Sequence, residues 1–368
     1  MADSIVSLLL IFAIVSGWAM GWIFLLRQRG NKKANIQGGL LFLFFSLCVL
    51  DNLLAHAGVF HPYQEKYFVP IWYTLSIGPT LFFFIKFTLY PAYEIRGSDA
   101  KHFLLPLAQA VFYWTLFFSG PDTQQSIWEN FLEPFYKTFE GIGYVVLLFI
   151  YIALSYRYVK YKQAVARRKG HFWEYSKSIW LQWTLKVLFI LAIVNTSYIV
   201  MDFAVYNFLG WNLYSVKGFS YLGDLSFAAM LLWLAGRAFQ YVFGRAYPTT
   251  GQLSNFSGEN DWTQVSQIEQ RLFNWFEYDE IHRDPEVDLR RLAFLSGMQP
   301  KQARAIILKK EGSSFEKFLL RQRLNDFQDQ RKDPKFRNQS SRVLALRAGF
   351  RSYAFLKKVL AKNPAVSA

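Results

Sequence analysis

Seven long apolar runs, at roughly 4–26, 38–60, 67–90, 102–119, 138–158, 178–206 and 218–243, fill the first two-thirds of this 368-residue chain. Most reach the ~20 residues that a hydrocarbon core asks of a helix; the fourth is the shortest. A helix on the surface of a soluble bundle carries a polar face at a period of 3.6 residues. Stretches such as LLFLFFSLCVL (40–50) and YVVLLFIYIAL (144–154) are apolar all round instead. The expectation is an all-α chain whose residues 1–245 form a seven-transmembrane-helix bundle that anchors the chain and serves as its sensor domain. The opening MADSIVS has no positive charge ahead of the first run, so that run reads as a span and not as a cleaved signal peptide.

Loop charge orients the bundle. Arg27, Arg29, Lys32 and Lys33 follow the first run, Arg96 and Lys101 the third, and Arg157, Lys160, Lys162, Arg167, Arg168 and Lys169 the fifth. The intervening loops hold Lys66, Lys137 and Lys217 against Asp122, Glu129 and Glu133. Positive loops stay in the cytoplasm, which puts the N-terminus outside and, after an odd number of spans, the C-terminal region inside.

Composition narrows the chemistry. Charged residues make up only 18%, yet the formal net charge is +15, which points to anionic partners, nucleic acid or lipid headgroups. The one cysteine, Cys48, sits inside an apolar run, so no disulfide framework is expected. The five histidines are scattered without HxxxH or HExxH spacing, and GxSxG, Walker and GxGxxG patterns are absent from the sequence, so neither a metal, a cofactor nor an enzyme activity is expected.

From residue 244 the composition turns to Gly, Ser, Thr, Asn and Pro, and 246–262 reads as a short linker. Residues 263–368 form the remaining domain, entered through the amphipathic stretch VSQIEQRLFNWFEYDEIH (265–282). Asp288 is a good N-cap for a helix with Leu289, Leu292, Ala293 and Leu295 on its apolar face. Gly297 marks a turn, and Gln299 precedes Pro300, which suits the first position of a helix over roughly 300–310. Ser313 and Glu316 have capping-box spacing for a long connecting helix. A second pair follows, with Leu344 and Ala345 on the core side, Gly349 at the turn, and Ser352 capping the last helix. From Gly297 onward basic residues outnumber acidic ones 17 to 5, while Glu277, Asp279, Glu280, Asp284, Glu286 and Asp288 make the preceding segment acidic.

Leu292-Ala293, Gly297, Pro300-Lys301, Gly312 with Phe315, Arg323-Leu324, Ala345 and Gly349-Phe350 together resemble the DNA-binding domain of the AraC/XylS family of bacterial transcription regulators. The run WYTLSIGPTLFFFIKFTLYP (72–91) and the segment KHFLLP (101–106) are similar, more weakly, to the membrane-bound members of that family. The resemblance implies two helix-turn-helix units, double-stranded DNA as partner, a homodimer, and a bacterial inner (cytoplasmic) membrane location. Recognition helices place their N-terminal residues at base edges. That makes Lys301, Gln302 and Arg304 in the first unit, and Arg351, Ser352, Tyr353, Lys357 and Lys358 in the second, the candidate DNA contacts. A solvated face or a lipid-headgroup surface would use the same charges.

Polar residues inside spans are costly and mark either function or interhelical bonding. Asp51, Asn52, His56, Asn195, Asp202 and Asp224 are the candidates for a small-molecule signal site, with His56, Asp202 and Asp224 in the outer half of the bilayer; Lys86 is expected to snorkel toward the inner face. The reading is a membrane-embedded one-component regulator with no catalysis. Two alternatives stay open. A signalling adaptor that binds protein is favoured by Ala303, Ala305 and Ser341, where the family usually has larger residues, and a transporter or membrane enzyme with a regulatory tail would need flux or turnover by the helices alone.

Overall fold

The computed structural model describes residues 2–57, 69–169, 172–211, 213, 216–243, 269–270 and 272–362, and no strand occurs among them. The linker read at 246–262 lies outside the described residues.

The apolar runs become helices, though not seven equivalent ones. α1 (Ala2–Leu26), α2 (Lys32–His56), α6 (Lys137–Lys169), α7 (Phe172–Leu209) and α8 (Lys217–Val242) include five helices long and apolar enough to cross a membrane. α3 (Thr74–Leu89) and α4 (Leu104–Phe117) hold 16 and 14 residues, which at ~1.5 Å per residue is short of a ~30 Å core. Both are shortened by local chemistry. Residues 69–73, which include Pro70, are not helical, so α3 starts late. The fourth run opens as a 3-10 turn (Gly97–Phe103), in which the Asp99 carboxylate accepts from the Arg96 amide at 2.8 Å. It stops ahead of Gly120-Pro121, and α5 (Pro121–Ile127) and a π-helical stretch (Trp128–Tyr136) lead on to α6.

α3 is short but enclosed by protein. All sixteen of its residues are buried, between α2 and α6, and non-helical backbone at membrane depth is tolerated where protein surrounds it. The outer helices differ. Leu8, Phe12 and Val15 of α1 and Ile190, Val194 and Phe203 of α7 are exposed, giving apolar faces of the kind that soluble monomers rarely present. The basic stretch expected as a loop after the fifth run is helical instead: Arg157 to Lys169 continue α6, because Lys, Arg, Gln and Ala are all good helix formers.

Beyond a partly described helix through 272–277, the described residues form α9 (Leu289–Leu295), α10 (Pro300–Glu311), α11 (Phe315–Lys332), α12 (Ser341–Arg347) and α13 (Tyr353–Lys362). Their ends are set by the residues that the sequence offered for them. Asp288 caps α9 by accepting from the Arg291 amide at 2.8 Å, Pro300 opens α10, and the Ser352 hydroxyl accepts from the Phe355 amide at 3.2 Å. Gly297 and Gly349, at φ 71° and 86°, make the two turns in the left-handed region that favours glycine. One cap moves: Ser314, not Ser313, starts α11, accepting from the Lys317 amide. The chain leaves the left-handed Gly312 one residue later than the capping-box spacing implied.

Leu292, Ala293, Ala303, Ile307, Phe315 and Phe318 form a core that is continuous with that of the membrane helices, whereas Leu324, Leu344, Ala345, Phe350 and Leu356 cluster separately around α12 and α13. The two parts are clamped by Arg283, whose Nε and Nη2 donate to the two Asp326 oxygens at 2.8 and 2.7 Å. Burial opposes ionisation of Asp326, but the hydrogen bonds from Arg283, His282 and Gln330 outweigh it and hold the carboxyl below its ordinary range. Asp326→Ala is expected to destabilise this region by about 2 kcal/mol, less than a fully buried pair because Arg283 remains partly solvated. Pulse proteolysis of the detergent-solubilised chain would read it as faster cleavage within 283–362.

Candidate nucleic-acid interface and membrane-domain site

α10 presents Lys301, Gln302 and Arg304 to solvent, because Ala303 and Ile307 are the positions that face the core. Gln302 is partly committed to its own helix: its Oε1 accepts from the Gln299 amide at 2.9 Å. At the start of α13, Arg351, Ser352 and Tyr353 are half-buried while Lys357 and Lys358 are exposed. The Ser352 hydroxyl acts as the cap described above, and the Lys357 ammonium lies 5.1 Å from the Tyr353 ring centre.

The structure brings three of these residues together. Lys301, Arg304 and Arg351 line one cleft of about 940 Å³ between the two helix pairs. The α1–α2 loop also lines it, through Gln28, Arg29 and Gly30. Gln302, Ser352, Tyr353, Lys357 and Lys358 lie outside that lining. Arg323, a position that carried the family resemblance, is structural: its Nε donates to the His282 carbonyl at 2.7 Å and its Nη2 to the Asp284 carbonyl at 2.8 Å, and burial lowers its pKa to about 10.

The polar residues of the membrane helices divide into groups. His56 Nδ1 lies 3.9 Å from Asp224 Oδ2, and the Tyr221 ring stands edge-on to the His56 ring at 5.3 Å. Tyr221 in turn donates to Asp3 of α1. The His56 Nε2 atom is buried without a hydrogen-bond partner among the described residues. Asn195 ties three helices, donating to the Ser226 hydroxyl at 2.9 Å and accepting from Tyr144 at 3.4 Å, which is the interhelical role. Asp51, Asn52 and Asp202 are half-buried, and Asp202 does not share the His56–Asp224 contact.

Lys86 does not snorkel. It is 4% exposed, with Nζ 3.5 Å from Asp99 Oδ1 and 3.7 Å from the Tyr93 ring centre, walled further by Phe82, Phe83 and Tyr158. A carboxylate overlooked in the sequence is Glu140. It is buried and accepts from Tyr113 at 2.6 Å, from Thr74 at 3.4 Å and from Gln109, while Gln109 Oε1 accepts the Leu75 amide at 3.3 Å near the start of α3. It is a single acid near the start of the apolar run 138–158, and nothing in that run itself marks it as buried. The signal that could have found it is the polar set on neighbouring runs, Thr74, Gln109 and Tyr113. No family model, curated protein or solved structure matches the chain.

Proposed function

We propose that this chain is a membrane-embedded one-component transcription regulator whose helices α9–α13 form two helix-turn-helix units that read double-stranded DNA, with no catalytic step. The observation that carries the reading is the convergence of Lys301 and Arg304, from α10, with Arg351, two residues before α13, on one basic cleft. α11 joins the pairs at a fixed spacing, as two recognition helices entering successive major grooves require. Arg and Lys suit the N7 and O6 atoms of guanine, and the 17-to-5 basic excess suits phosphate.

The membrane part serves as anchor and sensor. α3 and α4 complete seven crossings of a bacterial inner membrane despite their length, with the N-terminus outside and α9–α13 in the cytoplasm. The basic residues Arg27, Arg29, Lys33 and Lys162 support this, since they share the end of the bundle on which the C-terminal helices sit. The His56–Asp224–Tyr221 group, with its unpaired Nε2, is the best-formed place for a small-molecule signal that offers a hydrogen-bond donor or acceptor. Two copies of the chain on one operator fit the resemblance.

Selection of full-length protein in detergent against random duplexes tests the proposal. The expected result is a motif spanning two adjacent major grooves about one turn, roughly 34 Å, apart, with affinity falling steeply as salt rises. Arg351→Ala is expected to cost about 1–3 kcal/mol and to relax the motif at one position. If neither the wild-type chain nor Arg27→Ala enriches a motif, the chain is not this regulator, and capture of a protein by α9–α13 would then favour the adaptor reading.

A further inference from the structure

The acidic segment before α9 and the basic end of the membrane helices meet residue by residue. Glu286 forms an ion pair with Arg27, just past α1, and its side chain is 1% exposed. Arg27 Nη1 donates to Glu286 Oε1 at 2.9 Å, the Tyr241 hydroxyl of α8 donates to the same oxygen at 3.2 Å, and the Arg27 guanidinium lies 5.3 Å from the Tyr241 ring centre. On either side, Asp284 lies 3.7 Å from Lys177 of α7, and Asp288 accepts from Arg29 at 2.8 Å. The loop is shaped for this approach. Gly30 has φ 81°, and a Cβ there would stand 1.7 Å from Glu286 Oε1.

The same contact engages the DNA-reading side. Arg351 Nη2 donates to the Arg27 carbonyl at 3.2 Å, and Gln28, Arg29 and Gly30 close the cleft that Lys301, Arg304 and Arg351 line. One duplex turn is ~34 Å long and presents a major groove ~12 Å wide. The cleft's 940 Å³ is the size of a small-ligand pocket. The α1–α2 loop lines the cleft beside Lys301 and Arg304 and holds Arg351 through the Arg27 carbonyl, so a duplex that engages all three side chains must displace it.

We propose that the basic end of the membrane bundle is a docking surface for α9–α13, gripped through Arg27–Glu286, Arg29–Asp288 and Lys177–Asp284, and that docking there and binding of duplex DNA exclude each other. This rests on the DNA-binding reading above. It assigns the signal a definite task, which is to release the docked helices. An interface built from ion pairs suits a reversible hold, because the attraction between buried charges is nearly offset by the hydration each regains on separation.

The test uses the full chain in lipid nanodiscs with Glu94→Cys and Arg342→Cys. These are exposed residues 4.0 Å apart across the same interface and outside the reading cleft. A bis-methanethiosulfonate reagent bridges them reversibly, and the native Cys48 is buried and does not react. The expected result is an intramolecular bridge and, for a pool of random-sequence duplex at low salt, binding at least about tenfold weaker in the bridged form than after reduction. Arg27→Ala is expected to lower the bridging yield and to tighten duplex binding by a similar factor. Absence of the bridge, or equal binding before and after reduction, overturns the exclusion; the surface cysteine pair keeps this decisive even if Arg27→Ala fails to fold. If no form binds duplex, the DNA-binding reading falls and the exclusion with it, while the bridging yield still reports whether the docked arrangement exists.

Discussion

Lys86→Met is expected to destabilise the membrane bundle by about 3–5 kcal/mol, the cost of leaving one member of a buried ion pair uncompensated. The side chains of Lys86 and Asp99 are 5% and 8% exposed, so water cannot take over the lost partner. Asp99 would retain hydrogen bonds from the Tyr93 hydroxyl at 2.9 Å and the Arg96 amide at 2.8 Å, but no opposite charge. The double variant Lys86→Met/Asp99→Asn removes both charges and is expected to recover at least half of the loss. Thermal unfolding in detergent measures both, and equal destabilisation by single and double variants would show that packing of the lysine stem, not charge, governs the site.

The same pair sets a pH dependence with a definite sign. Burial works against the Asp99 carboxylate, but hydrogen bonds from Arg96 and Tyr93 and the charge of Lys86 overcome it, so the pKa is lowered. A lowered folded-state pKa means that the stabilisation is fully present above the unfolded value of about 3.9 and disappears as the pH falls below it toward the folded value. The Lys86→Met/Asp99→Asn chain should lack that acid limb. Loss of the pair would also reach the docking surface, because Tyr93 accepts from Lys33 at 2.7 Å through its carbonyl and the neighbouring Glu94 lies 4.0 Å from Arg342.

Local chemistry was the legible part of this sequence, and long-range pairing was not. Asp288, Pro300, Gly297, Gly349 and Ser352 act through atoms a few residues away, so their types alone located helix ends and turns. Apolar runs announced membrane-length helices for the same reason. α3 and α4 came out short because hydropathy does not record where Pro70 or the Asp99 turn interrupts a helix. Lys86 was misjudged because its partner is thirteen residues away in a different element. The acidic segment and the basic loops were each visible as charge, but a count of charge cannot say that Glu286 belongs to Arg27, 259 residues earlier. Glu140 escaped because its donors come from two other helices, Thr74 from α3 and Gln109 and Tyr113 from α4.

Gly349→Ala should separate the two costs that a glycine turn can carry, and Gly297→Ala is its control. Both glycines sit in the left-handed region, at φ 86° and 71°, where an L residue costs about 1–2 kcal/mol. Their surroundings differ. A Cβ on Gly297 meets nothing within 4 Å, whereas one on Gly349 would stand 2.2 Å from the His282 carbonyl oxygen and 2.8 Å from Arg283 Cα. Neither contact can be relieved by a rotamer, because both are backbone. Overpacking of this kind adds roughly 1–3 kcal/mol, so Gly349→Ala is expected to cost about 2–5 kcal/mol in all and Gly297→Ala about 1–2. The backbone that Gly349 touches is that of the Arg283 clamp on Asp326, and two residues on lies Arg351. Relief of the overlap must therefore shift either the clamp or the start of α13. Under the proposed function, duplex binding falls in Gly349→Ala by more than its stability loss explains, while membrane insertion is unchanged. Equal costs at the two glycines would mean that the His282 carbonyl moves freely aside, and that the turn holding Arg351 is governed by backbone conformation alone.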